Sequence, residues 1–475
     1  MGDGQRIADL EAKIADLVEA VAERDRRIAG LEAAKIADLT ASLADRDKRI
    51  AELEKLLSES HRASKRQAAP FSKGRPSTDP KRPGRKSGDD HGRHAHRWVP
   101  DAATRELDAP APACCPDCDG QITHDRWEDQ WQVDLPDLTP TVTRFKVAVG
   151  RCTDCGRRVQ GHHPEQTSDA LGAAASQVGP AAKAWAVWLH YALGLSFVKC
   201  SLLLGRLGVN VTAGALVQAA AKAGTDLVPV RQGIVERVNA APSVVMDETG
   251  WRVNGVSSWL WVATTATGCT VYNVAGGRGF DEACEMVAAD YDGVVVRDGW
   301  GPYRRYTDAE HQTCTAHILR RCHELLNDLP TWAHSTPRMV KDVLLEGLDA
   351  RDLDPADRAA VAVDVAERIE LLAEQPQVHD ENRKLVKHLT NEAGALFTYL
   401  TVDGVDATNW RGEQAIRPAV VNRKVSGGNR TWVGAGTQST LMSVIRTAAQ
   451  QGVDIIDYLV AYARAPDPAA TPLFP

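Results

Sequence analysis

Between residues 7 and 57 apolar side chains recur at steps of three and four, through Ile7, Leu10, Ile14, Leu17, Val21, Ile28 and Leu31. That spacing keeps one stripe along one side of a helix and predicts a coiled coil. The stripe repeats itself. "AKIADL" at 12–17 returns at 34–39, and "AERDRRIAGLE" at 22–32 returns as "ADRDKRIAELE" at 44–54, both offset by 22 residues. Such an offset is two eleven-residue repeats, close to the period of a straight helix, so little supercoil is expected and the heptad phase slips near Lys35. Self-association, or pairing with a partner helix, is the expectation against one long solvated helix.

After the coil the periodicity stops. From Arg62 to Arg97 eleven Lys or Arg stand against three acids among many Pro and Gly, which predicts a flexible basic linker. Its charge suits a phosphate backbone through counterion release, although a solubilising tether has the same composition. Residues 172 to 240 are rich in Ala and Leu and read as helices. Within them "FVKCSLLLGRLGVNVTAGALVQAAAKAG" gives a helix, a turn at Gly208 and a second helix that Thr212 can cap. A helix-turn-helix fits this stretch, and so do packed helices without DNA contact.

From about residue 243 the pattern turns to strands: "SVVMDE", "SSWLWVATT" and "CTVYNVA", then a helix over "FDEACEMVAADY", then the strand "GVVVRD". That order predicts an α/β module. Residues 335 to 398 are helical and highly charged, and "TAHILRRCHELLND" and "TLMSVIRTAAQQGVDIIDYL" read as amphipathic helices.

Composition bounds the class. A chain of 475 residues predicts three or four folded units, and 43% hydrophobic with 25% charged residues is the balance of a soluble protein. The most apolar run, "AWAVWLHYALGLSFV" at 184–198, is too short to span a bilayer and carries His190, so it predicts a buried helix and no membrane association. No secretory signal pattern opens the sequence, and a cytoplasmic protein with reduced cysteines is expected. A net charge of −7 argues against wholesale nucleic-acid coating, but the basic linker shows how uneven that charge is.

Four of the ten cysteines form a metal-like pattern: Cys115 and Cys118, then thirty-three residues, then Cys152 and Cys155. Four thiolates around one Zn2+ make a closed structural site, and the intervening "WEDQWQVDLP" and "TVTRFKVAVG" read as strands of a zinc ribbon. Gly120 and Gly156 follow the two pairs, and Cys114 competes with Cys115 as a ligand.

Two acids share one context. Asp247 follows "SVVM" and Asp298 follows "GVVVR", so each carboxylate stands at the exit of an apolar strand, the pair being 51 residues apart. In neighbouring strands these acids converge, and repelling carboxylates hold together around a cation. Two Mg2+ ions are the natural occupants, because a metal pair activates an attacking oxygen and stabilises a leaving one in phosphodiester cleavage. A lone strand-end Asp is otherwise a turn former. Glu248, beside Asp247, is expected to turn outward or to cap the next turn. Glu413 offers a third acid, on a helix that Thr408 or Asn409 caps and Pro418 ends, although Glu413 and Arg417 also have the spacing of an ordinary helical ion pair. Arg320, Arg321, Arg417, Arg423 and Lys424 are candidates for gripping a DNA backbone, with plain surface charge as the alternative. Trp251, Trp300 and Trp410 lie near the acids as candidates for base stacking or for core packing.

"MDETGW", then "RDGWGPYRRY" with "CTAHILRRCHEL", then "NWRGEQAIRPAVVNRK" with "GVDIIDYL" resemble the successive blocks of the transposases of the insertion sequence 66 family. The order of coil, basic linker, zinc ribbon and helical region is similar too, so the resemblance covers nearly the whole chain. It implies an RNase H-like core whose triad, here Asp247, Asp298 and Glu413, binds two divalent metals (Mg2+ or Mn2+) and carries out DNA strand cleavage and transfer. A helical insertion between the last two acids and small accessory proteins encoded beside the element are also implied. Two departures stand out. "TCTAH" replaces the family's usual Gly-Cys-Trp-Ala-His, keeping Cys314 and His317, and Gln414 replaces an Arg after the triad Glu. Cys314 and His317 have ligand-like spacing but make an incomplete zinc site, so packing and substrate contact are expected of them.

The predicted organisation is multidomain: coiled coil at 1–60, basic linker at 61–108, zinc ribbon at 109–165, helical region at 170–240, α/β RNase H-like core at 241–334, helical insertion at 335–400, the rest of the core with the third acid at 401–435, and a C-terminal helix and tail at 436–475. The expected protein is a homo-oligomeric, nucleoid-associated DNA transposase. A nuclease of the same fold without transfer activity and a non-catalytic zinc and coiled-coil DNA-binding protein are the rival readings.

Overall fold

A computed structural model describes part of residues 13–50, residues 100–465 apart from 124–125, 136–137 and 173–176, and Leu473. The chain forms two compact units, Met1–His96 and Arg97–Pro475. In the first, the described positions between Lys13 and Ile50 are helical and exposed, and the stripe residues Leu17, Val21 and Ile28 are 64%, 45% and 44% accessible. The basic segment 62–97 lies outside the described residues.

The second unit opens with two turns of one design. The Cys115 amide donates to the Gly120 carbonyl and the Cys152 amide to that of Arg157, while the amides of Asp119 and Gly156 return to the carbonyls of Cys115 and Cys152. The left-handed position after each second cysteine is Asp119 (φ 56°) in one turn and Gly156 (φ 69°) in the other, so Gly120 does not have the role of Gly156. Strands β1 (Val149–Arg151) and β2 (Arg158–Gln160) pair antiparallel around the second turn. The strands expected in "WEDQWQVDLP" do not form among the described residues.

Four helices follow: α1 (Pro180–Tyr191), α2 (Phe197–Arg206), α3 (Ala213–Asp226) and α4 (Val228–Asn239). Thr212 caps α3 by accepting from the Ala215 amide, and the preceding turn runs through Gly208 at φ 80°. The inner face of α3 carries Leu216, Ala220 and Gly224, and Gly224 lets it close on Thr437.

The core is a five-stranded mixed sheet in the order β5-β4-β3-β6-β7. β3 (Ser243–Val253), β4 (Val256–Thr264) and β5 (Thr270–Ala275) form an antiparallel meander, whereas β6 (Val294–Arg297) and β7 (Glu310–Thr313) run parallel to β3. Asn254-Gly255, both at positive φ, make the tight β3–β4 turn. Helix α5 is shorter than expected, Phe280–Cys284. The insertion consists of α6 (Thr315–Asp328), α7 (Ser335–Asp349), α8 (Pro355–Glu374), α9 (Asp380–Glu392) and the short α10 (Thr398–Thr401), packed on a core of their own around Ile318, Val343, Leu344, Val365 and Leu389.

The chain then returns to the sheet as α11 (Trp410–Ser426), α12 (Trp432–Gln450) and α13 (Ile455–Arg464). Pro418 lies inside α11 and does not end it; the helix closes at Gly427, at φ 77°. The single C-terminal helix expected is two, separated by a turn with Gly452 at φ 71°. α12 seals the free edge of β5. Its hydroxyls at four-residue steps, Ser439, Ser443 and Thr447, accept from the amides of Val274, Tyr272 and Thr270 at 3.0, 2.9 and 3.1 Å. An edge strand that would expose bare donors is thereby satisfied by side chains of one helix. Among the described residues no helix is long and apolar enough to cross a membrane.

Candidate active site

Parallel pairing fixes the relation of the two aspartates. Ser243, Val244 and Val245 of β3 lie opposite Val294, Val295 and Val296 of β6, an offset of 51 residues. The ladder ends there, and two residues beyond it Asp247 in β3 and Asp298 just after β6 continue the same offset, near enough for the Asp298 charge to act on Asp247. Alternation along the strands turns both toward the face carrying Val245, Val294 and Val296, a small apolar cluster closed by Val402 and Val405. Asp247 therefore does not end its strand, as expected from the sequence, but sits in the middle of β3 where the β6 ladder stops.

α11 crosses this face at its first turn. A Cβ on Gly412 would lie 3.1 Å from Asp247 Cβ and 3.3 Å from Val245 Cγ1, so only glycine lets the helix come this close. The next residue, Glu413, is thus brought to the aspartates. Burial pushes the Asp247 carboxyl up to about 7, and the charges of Glu248, Asp298 and Glu413 push in the same direction, partly offset by the Glu248 amide, which donates to Asp247 Oδ1. Asp247 thus feels the charges of both other acids, although Glu413 stands 166 positions further along the chain. The backbone amide of Trp300 donates to Asp298 Oδ1 at 2.8 Å.

Glu248 has a different role from the expected one. It points to the opposite face, is 8% exposed, and is bonded to the Tyr303 hydroxyl and to Arg278, whose Nε donates to Oε1 at 2.7 Å. Burial raises the Glu248 carboxyl, and Tyr303 and Arg278 counteract it. The Arg278 guanidinium is itself stacked between Trp259 and Trp300, 4.5 and 3.9 Å from the ring centroids.

Cys314 is buried at the start of α6, and its Sγ accepts from the Asn409 amide. His317, one turn on, has Nε2 3.9 Å from Glu413 Oε1 while its buried Nδ1 has no hydrogen-bond partner among the described residues. Both residues thus lie near the third acid, His317 by its ring and Cys314 within reach of the Glu413 charge.

The basic candidates divide. Arg320, Arg417 and Lys424 are exposed. Arg321 pairs with Glu381 at 2.9 Å, and Arg423 folds back on β3, where Nη1 donates to Thr249 Oγ1 at 3.0 Å and to the Gly250 carbonyl. Trp251 is a core residue, 2% exposed and hydrogen-bonded to Asn429; Trp300 and Trp410 remain partly open at 36% and 44%.

In the two cysteine turns the first thiol of each pair is shifted below the ordinary thiol value. Amides of Asp117 and Cys118 lower the Cys115 thiol, and amides of Cys155 and Asp154 lower that of Cys152. Among the described residues no group of three His, Cys, Asp or Glu is gathered tightly enough to hold a metal ion as it stands, either here or at the acids. The donor sets are nevertheless apt: three carboxylates supply hard oxygens for Mg2+ or Mn2+, and four thiols suit Zn2+. A cation among the acids would relieve the burial and repulsion that raise Asp247.

Residues 175–437, which carry all three acids, match the family described as Transposase IS66 family. The chain belongs to the IS66 transposase family. It is also similar, at 24% identity over 308 residues, to a protein of Sinorhizobium fredii (strain NBRC 101917 / NGR234) named Uncharacterized protein y4qI. That match takes in 57% of this chain and 56% of the relative, so the chain spans little more than half the length of the curated protein it resembles.

Proposed function

We propose that the protein is a DNA transposase that cuts the ends of a mobile element and joins them to target DNA at a site built from Asp247, Asp298 and Glu413 on an RNase H-like core. The observation that carries this reading is that the charges of Asp298, just beyond the strand paired with β3, and of Glu413 are both felt at Asp247. The divalent ions held there, Mg2+ or Mn2+, would polarise the attacking and leaving oxygens of a phosphodiester.

The chain's own residues supply the rest. Asp247 and Asp298 provide paired oxygens from adjacent strands, and Glu413 approaches them from the helix that Gly412 seats. His317 flanks Glu413, and exposed Arg320, Arg417 and Lys424 are suited to hold phosphates beside the acids, which positions a strand without reading its bases. The cysteine turns would close on Zn2+ as a ribbon, the basic linker would hold DNA, and the coil would bring protomers together so that two ends meet.

Asp247→Asn tests this directly. Cleavage of end-containing DNA should be abolished while end binding persists, and an unchanged cleavage rate would refute the assignment. Supplying pre-cleaved ends separates a transposase, which joins them to target DNA, from a nuclease, which does not.

A further inference from the structure

Asp298 is held from outside the sheet, by the helical insertion. Arg297 closes β6 with a side chain only 2% exposed, and it meets Glu392, at the end of α9, whose side chain is wholly shut from solvent. Arg297 Nη1 donates to Glu392 Oε2 at 2.6 Å and to the carbonyl oxygen of Asp298 at 3.0 Å. Arg304 approaches the same carboxylate from the other side: its Nε donates to Glu392 Oε1 at 3.0 Å and its Nη2 to the carbonyl oxygen of Gly299 at 3.3 Å. One carboxylate therefore carries two guanidiniums, and these grip the carbonyls of two consecutive residues. His388, one turn earlier on α9, packs so tightly on Gly299 that no Cβ fits there.

Buried ion clusters of this kind contribute little net stability, because desolvation offsets the attraction. Their strength lies in fixing geometry. We infer that Glu392 is a positioning residue for Asp298: the insertion uses it to hold the 298–299 backbone so that the carboxylate faces Asp247. This rests on Asp298 being a metal-binding acid. Without Glu392, two guanidiniums would stand beside that acid without their counter-charge and compete with a divalent cation for it.

Mn2+ binding to the full chain, followed by electron paramagnetic resonance without DNA, provides the test. Asp298→Asn should lose binding. Glu392→Gln and Arg304→Gln should weaken it about 10-fold or more, the usual effect of removing a residue that orients a ligand. Cleavage by both should need more Mg2+ and recover at saturating metal, which a general folding defect would not do. Glu346→Gln, whose carboxylate pairs with Arg368 on the insertion surface, should bind as wild type. If Glu392→Gln does not fold, Arg304→Gln decides, since its side chain is 37% exposed. Wild-type Mn2+ affinity in the folded Glu392 or Arg304 variant, with binding lost in Asp298→Asn, overturns the inference alone. Undiminished binding in Asp298→Asn overturns the underlying reading of the acid, and the inference with it.

Discussion

Asp247 shows a conflict between stability and chemistry confined to one side chain. Its folded value of about 7 lies above the ordinary 3.8, so the folded chain keeps a proton that the unfolded chain has released. The stability associated with that proton is fully present below about pH 4 and is lost as pH rises through about 7. In metal-free protein at pH 8, Asp247→Asn should therefore raise the unfolding free energy by about 2 kcal/mol, with the gain vanishing toward pH 4. Thermal melts across that range check it, and a variant that is less stable at pH 8 would contradict it. Gly412 and Gly436 offer a second contrast. Gly436, with nothing near its Cβ position, should tolerate Ala with a gain of up to about 1 kcal/mol. Gly412→Ala must push α11 away from Asp247, and a shift of a few tenths of an ångström there should cut cleavage about 10-fold or more with end binding intact. The nearness of the two aspartates can be read from the sequence because each follows a run of apolar strand residues, Asp247 at once and Asp298 after Arg297. The partner of Arg297 was not legible, since Glu392 lies 95 residues away, although an arginine inside "VVVR" signals that some buried anion must meet it.

Among the elements, those with strong local patterns were readable: the β3–β5 meander, the Thr212 cap and the insertion helices. β7, "EHQT", gives no strand signal in the sequence because it is polar. Its Gln312 is fully buried and is satisfied by the insertion, its amide donating to the Leu396 carbonyl and its oxygen accepting from the Tyr399 amide. Tertiary hydrogen bonds, not apolar alternation, make that strand. The sequence of α12 reads as amphipathic, yet nearly every residue from Thr437 to Ala448 is buried, and its polar residues serve the sheet edge. Removing one hydroxyl should show this. Ser443→Ala leaves the Tyr272 amide without its acceptor and should cost about 1–3 kcal/mol, with faster amide exchange at Tyr272. Unaltered exchange would mean that the edge is not sealed in this way.

At the scale of the whole molecule, the acids come from three distant stretches of chain, and the insertion separating the second from the third also braces the second. Family membership was legible from the ordered blocks taken together, where any one alone would have been weak. The exposed stripe of Leu17, Val21 and Ile28 predicts that the full chain self-associates. Light scattering should find an oligomer that becomes a monomer when residues 1–60 are removed, and an unchanged mass would place association elsewhere. The most direct test of the central claim is a change of ligand at the second acid. Asp298→Cys should cleave end-containing DNA with Mn2+, which accepts a thiolate, and fail with Mg2+, which does not. Equal cleavage with both metals, or none with either in a folded variant that still binds Mn2+, would contradict a metal held by Asp298.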